Sequence, residues 1–178
     1  IRQPEEREVN ALLSTPKDLK KVNRIQVALL LPFMTNETTQ SSATSRFVEY
    51  YEGLLLAVDS LRNMGTSIEL SVYDTGNGTK KVKEILKEDA LSNANLIIGA
   101  VQNDQIGLIA DFAQKHNIKY VIPFTSKNDD VLSNANVYQV NTPHSYLYSK
   151  AAQAGCDLFS DYNIILVNIK DKEEKPEF

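Results

Sequence analysis

The apolar positions of the chain change period along its length, and each change marks a new element. Residues 24–33, RIQVALLLPF, form an unbroken apolar run of strand length, as expected of a strand covered on both faces. In 46–65, RFVEYYEGLLLAVDSLRNMG, the spacing becomes helical. Phe47, Tyr50, Tyr51, Leu54, Leu55, Val58 and Leu61 share one broad stripe, and Gly65 supplies a C-terminal stop. SIELSVYDT (67–75) alternates as a strand does, and the GNG after it signals a turn. TKKVKEILKEDALS (79–92) predicts one helix with Val82, Ile85, Leu86 and Asp89/Ala90 in register. NLIIGAV (95–101) is again a buried strand.

The same rhythm continues to the end. NDQIGLIADFAQKHN (103–117) predicts a helix with Ile106, Ile109 and Ala113 facing inward and Asn103 or Asp104 as N-cap. IKYVIPF (118–124) and NVYQVNT (136–142) are the fourth and fifth strands. PHSYLYSKAAQAGCDLF (143–159) is a helix with proline in its first turn, and NIILVNIKD (163–171) a sixth strand. Strands and helices that alternate with short connections make parallel strands joined by right-handed crossovers. The fold class is therefore α/β, a doubly wound parallel sheet. Residues 1–23 are charged, with prolines flanking their one apolar cluster, and suit a linker or docking segment.

Composition narrows the function. The 178 residues suit one domain, or one and a piece, and 42% hydrophobic with 24% charged residues is enough apolar matter for a core. A net charge of -4 without a basic cluster argues against nucleic acid and against an anionic membrane surface. The longest apolar run, VALLLPF, is far short of the roughly 20 residues a membrane helix needs. Cys156, the only cysteine, excludes an internal disulfide framework and a cysteine-based zinc site.

In a doubly wound sheet, ligands bind beyond the carboxyl ends of the strands, where strand order reverses. Those ends carry MTNETTQSSATS (34–45), Asp74-Thr75, Gln102-Asn103-Asp104 and Thr125-Ser126-Lys127. Such groups form hydrogen bonds; they are not acid–base machinery. The enzyme motifs are missing: PFMTNE stands where a dinucleotide fold needs G-x-G-x-x-G, TGNGTKK lacks P-loop spacing, and G-x-S-x-G does not occur. Phe33-Met34 cannot supply the carboxylates of a phospho-receiver. His116 falls at a helix C-terminus, which favours positive charge, and His144 has no Asp or Cys at ligand spacing, so no metal site is expected. Tyr50 and Tyr51 suit the core edge of their helix better than an aromatic cage. NET (36–38) and NGT (77–79) fit the N-glycosylation pattern, a triplet that also arises by chance. Thr125-Ser126 has two readings of equal weight: hydroxyls that cap the following turn, or hydroxyls that hold a ligand's carboxylate with nearby backbone N–H groups.

Taken together, IQVALLLPF, FVEYYEGLLLAVDSL, YDTGNG, LIIGAV, IKYVIPFTS and VYQVNTP resemble the first lobe of a type 1 periplasmic binding protein of the amino-acid receptor branch. The likeness runs over about 24–171. It includes a strand ending in IGA, a helix with the pattern IAxFAxxxxI, and a V-Y-Q-V-x-T strand that crosses the hinge. VALLLPF and VIPFTSK are also similar to the receptor-like domains that follow peptidoglycan-binding LysM repeats, and to penicillin-binding-protein activators. The resemblance implies a Rossmann-like lobe over 24–137, then a hinge crossing and an incomplete second lobe over 138–178. It implies ligand contacts at Gln102, Asn103, Thr125 and Ser126, a hinge at Tyr138, Val140, Asn141 and Thr142, and neither cofactor, metal nor catalysis. The implied function is capture of a small polar ligand (an amino acid, peptide or cell-wall fragment) between two lobes in the periplasm or cell envelope. The alternative is a protein-binding regulator of peptidoglycan synthesis, with peptidoglycan itself reached through regions outside this chain. Gln102-Asn103-Asp104 is bulkier than the small residues the resemblance leads one to expect there, and Asp104 would repel a carboxylate. A truncated second lobe would leave IILV (164–167) as an exposed or intermolecularly paired edge.

Overall fold

The computed structural model of the chain describes residues 23–35 and 42–163. Five parallel strands form one sheet in the order β2-β1-β3-β4-β5. They are β1 (Ile25–Leu31), β2 (Ile68–Asp74), β3 (Leu96–Gly99), β4 (Lys119–Ile122) and β5 (Val137–Gln139). The helices are α1 (Ser42–Asn63), α2 (Lys80–Ile85), α3 (Asp89–Ser92), α4 (Asn103–His116) and α5 (His144–Leu158), with a 3-10 turn at Asp130–Leu132. The α/β doubly wound class is thus the observed one. The predicted segments 1–22, NET at 36–38 and the strand from 164 onward lie outside the described residues.

Central β1 is buried for a simple reason: it has a neighbour on each side and helices on both faces. Leu29, Leu30 and Leu31 are fully buried. The larger core lies on one face, where Ala28, Leu30, Ile97, Tyr120, Ile122 and Val137 of the sheet meet Val82, Ile85, Leu91, Ile106, Ile109 and Ala113 of α2, α3 and α4. On the other face, Val58 of α1 packs on Val27 and Ile68. The predicted inward trio of α4 is therefore buried as expected. Two buried amides tie the β4–β5 connection to that helix. Asn134 Nδ2 donates to the Ala110 carbonyl (3.0 Å) and Asn136 Nδ2 to that of Ala113 (3.3 Å).

Three expectations need correction. The single helix over 79–92 is two short ones, broken at 86–88. At about 100° per residue, a continuous helix would turn Leu91 about 180° away from Val82 and bring charged Asp89 into line with it. The break instead buries Leu91 beside Val82 and leaves Asp89 and Ala90 exposed. In α1 the buried stripe is narrower than the sequence predicts: Leu55 and Leu61 are exposed. Neither Asn103 nor Asp104 caps α4. Gln102 holds the N-cap position without a side-chain capping bond, and Asp104 Oδ1 accepts from the N–H of its neighbour Gln105 (3.0 Å).

Candidate functional site

The chain leaves β1 towards β2 over one face and leaves β3 towards β4 over the other, so strand order reverses between β1 and β3. A crevice beyond that carboxyl edge follows from the topology. Its floor is closely fitted. Gly99 ends β3 with φ +129°, and a side chain there would overlap the Leu30 carbonyl. Ala100 follows at φ 57° and donates its N–H to that same carbonyl at 2.8 Å. The buried Tyr120 hydroxyl donates to the Gly99 carbonyl at 3.1 Å. Burial, then the charge of Asp130, pushes the Tyr120 phenol well above its ordinary range.

Asp74, at the end of β2, organises the loops on the β2 side. Its Oδ1 accepts from the N–H of Met34 (3.2 Å) and of Gly76 (3.0 Å). Its Oδ2 accepts from the Thr35 N–H (3.2 Å), the Thr35 hydroxyl (2.8 Å) and the Lys81 ammonium (3.0 Å). Partial burial pushes this carboxyl up. The Lys81 and Thr35 side chains and the two backbone donors outweigh that effect, and Asp74 ends well below the usual carboxylate range. Buried Gln105 completes the turn after β2 by donating Nε2 to the carbonyls of Gly76 (3.3 Å) and Gly78 (2.8 Å).

The four expected ligand residues all fall at the ends of β3 and β4. Asn103 Nδ2 reaches the Lys127 carbonyl at 3.4 Å and so bridges the two loops. Thr125 Oγ1 accepts from the Lys127 N–H at 3.0 Å, the turn-capping bond that its sequence allows. Gln102 turns away from these two: its Oε1 accepts from the Gly78 N–H (3.0 Å) and its Nε2 faces Asn77 Oδ1 (3.4 Å). Ser126 joins the crossing segment. Its carbonyl accepts from the His144 N–H (2.9 Å), and its hydroxyl lies 2.7 Å from His144 Nε2. His144 Nδ1 in turn lies 3.0 Å from the Tyr148 hydroxyl. Of the expected hinge residues, Tyr138 lies within β5, while Val140, Asn141 and Thr142 fall in the connection from β5 to α5. Tyr138 and Val140 are exposed, the Val140 N–H donates to Ile122, and Gln139 Nε2 donates to the Asn141 carbonyl.

Aromatic rings border the same edge. Phe124, just after β4, meets Phe47 and Tyr50 of α1 edge-on, with centroids 5.5 and 4.8 Å apart. Phe33, just after β1, meets Tyr51 at 5.9 Å. Burial raises the Tyr50 phenol above its ordinary value. A shallow open hollow lies at the opposite, amino end of β1 and β2, lined by Arg24, Arg62 and Glu69. It shares none of the residues above. Among the described residues no cluster of His, Cys, Asp or Glu could hold a metal ion, and no helix is long and apolar enough to cross a membrane.

Solved structures share this architecture. The branched-chain amino acid transporter substrate-binding protein LivJ from Streptococcus pneumoniae, in complex with isoleucine, superposes with a TM-score of 0.57 at 13% identity, over 77% of this chain and 39% of its own. A solute-binding protein from R. palustris in complex with benzoate gives 0.56 at 20%, over 76% and 37%. The leucine-binding protein LivK from Thermotoga maritima gives 0.55 at 20%, over 76% and 38%. The fold is that of a type 1 periplasmic binding protein lobe. The chain spans well under half the length of these proteins. No family model matches the sequence, and no curated protein matches it.

Within this lobe, sequence reasoning missed three features. The Asp74 hub was hidden because its five donors come from three separate segments, and only Gly76 lies within two residues of it. His144 was weighed as a metal ligand, whereas its partners are a serine 18 residues earlier and a tyrosine one helical turn later. The ring cluster could have been suspected from Phe33 and Phe124, since both follow strand ends. His116 has an ordinary role, stacked on Phe112 with centroids 4.3 Å apart.

Proposed function

We propose that the chain is the first lobe, hinge crossing and opening of the second lobe of a non-catalytic receptor in the bacterial envelope. Its ligand would be a small polar molecule such as an amino acid, peptide or cell-wall fragment. What supports this is the convergence of Asn103, Thr125 and Ser126 at the switch-point edge of a sheet whose fold is otherwise found in solute-binding proteins. In this reading Asn103, Thr125 and Ser126 exchange their present hydrogen bonds for bonds to the ligand, while Gln102 shapes the rim by holding the turn after β2. Phe124 and the α1 rings would shield the site from water. Closure would occur at Tyr138, Val140, Asn141 and Thr142, where the chain leaves the sheet.

A second reading is the protein-binding regulator of peptidoglycan synthesis. It draws support from two observations: each of the four site side chains already has a partner within the chain, and Leu55 and Leu56 on α1 and Met64 just after it are exposed.

A thermal-shift screen of the full-length protein carrying this lobe, against amino acids, short peptides and muropeptides, tests both. A ligand at about a hundred times its dissociation constant adds roughly 2.7 kcal/mol of stability, a readily visible rise in melting temperature. The receptor reading expects a hit that Thr125→Ala or Asn103→Ala abolishes. A silent panel, or a hit untouched by both substitutions, overturns it, and silence with capture of a cell-wall synthesis protein favours the regulator.

A further inference from the structure

The turn after β2 contains Asn77 followed by Gly78, a pair whose chemistry the ligand reading does not use. Asparagine before glycine is the most reactive context for spontaneous deamidation, because glycine has no side chain to hinder the ring that forms. The backbone nitrogen of Gly78, once deprotonated by hydroxide, attacks the Asn77 side-chain carbon Cγ. The new N–Cγ bond closes a succinimide, the Cγ–Nδ2 bond breaks, and the amide nitrogen leaves as ammonia. Water then opens the ring at either carbonyl, adding its hydroxyl to carbon and its proton to nitrogen. The products are aspartate or isoaspartate at position 77.

Asn77 is exposed, as such a reaction requires, and nothing crowds the Cα of Gly78. Both reacting groups are nevertheless held by a single side chain. The Gly78 N–H, which must lose its proton, donates to Gln102 Oε1 at 3.0 Å, and Asn77 Oδ1 faces Gln102 Nε2 at 3.4 Å. The orientation is fixed by chemistry: an N–H can only donate, so the Gln102 atom facing Gly78 is the oxygen, and its NH2 is left to face Asn77. Gln105, fully buried, pins the same turn from below through the Gly76 and Gly78 carbonyls.

We propose that Asn77-Gly78 is a deamidation site kept closed by Gln102, whose amide grips both the attacking nitrogen and the amide it would attack. The two products differ in effect. Aspartate at 77 still presents an oxygen to Gln102 Nε2 and keeps the grip, while adding a negative charge to the turn that Asp74 organises. Isoaspartate adds a carbon to the backbone, displaces Gly78 and breaks the grip. This inference does not depend on the ligand reading.

The test is the deamidation rate at Asn77 in the 178-residue chain at pH 8.5 and 37 °C, followed by peptide mapping that separates aspartate from isoaspartate. The folded chain should react at least tenfold more slowly than the same chain in denaturant, and Gln102→Met, which keeps the volume and loses both bonds, should approach the denatured rate. A folded wild type as fast as the denatured chain overturns the proposal, as does a folded Gln102→Met variant as slow as wild type. Should that variant fail to fold, hydrogen exchange of the Gly78 amide in the wild-type chain decides. Protection is the expected result, and exchange at the rate of an open amide refutes the grip.

Discussion

At the scale of single residues, Asp74 carries the clearest consequence. Because its folded pKa is depressed, the carboxylate contributes stability in full above its unfolded value of about 3.9, and that contribution is lost as pH falls through the lower folded value. Asp74→Asn would turn an NH2 towards the Thr35 N–H and the Lys81 ammonium, which are donors themselves. The expected cost is about 1–3 kcal/mol near neutral pH. The gap between wild type and variant should stay constant down to about pH 5 and shrink below it. Urea unfolding of both chains from pH 7 to pH 2 checks this; a gap that grows on acidification would contradict the assigned hydrogen bonds.

At the scale of elements, α1 shows what periodicity can and cannot tell. Its helical nature was legible from Phe47 to Leu61, but its burial was not. The stripe was drawn wide enough to include Leu55, while of its residues Val58 alone is buried, at 7% exposure, and Leu56 is 75% exposed. Val58→Ala should therefore cost about 1–2 kcal/mol, whereas Leu56→Gln should fall within about 0.5 kcal/mol of wild type. Paired thermal melts would separate the two. The break between α2 and α3 was illegible for a different reason: local spacing favoured Asp89, and only the tertiary demand to bury Leu91 reverses the choice. The strands were the most legible elements, since a parallel sheet covered on both faces writes itself as apolar runs such as VALLL. For the candidate site, the strand ends were legible but the hydrogen bonding of their residues was not. The ends of β3 and β4 can be read from the sequence, but the long-range partners of Gln102 and Ser126 require the fold.

At the scale of the whole molecule, the contact between Ser126 and His144 joins the body of the lobe to the helix that leaves it. The ring nitrogen at 2.7 Å and the backbone bond at 2.9 Å hold the first turn of α5 against the loop after β4. Ser126→Ala and His144→Gln should therefore be non-additive, with a coupling energy of about 0.5–1.5 kcal/mol in a double-mutant cycle read by unfolding. Additive effects would mean that the two residues act independently. If Ser126 also serves a ligand, occupancy and the seating of α5 compete for one hydroxyl.

The sheet's two margins are unequal, and this bears on how the lobe meets other chains. Among the described residues, β5 offers three residues of ladder on one side, whereas β2 offers seven on the other. An unpaired strand edge templates whatever extended segment reaches it, and its capacity grows with length. Among the described residues, the longer ladder open to an incoming strand is thus that of β2. Glu69 on that strand is exposed, and its ion pair with Arg24 just before β1 (3.1 Å) ties its charge to the neighbouring strand.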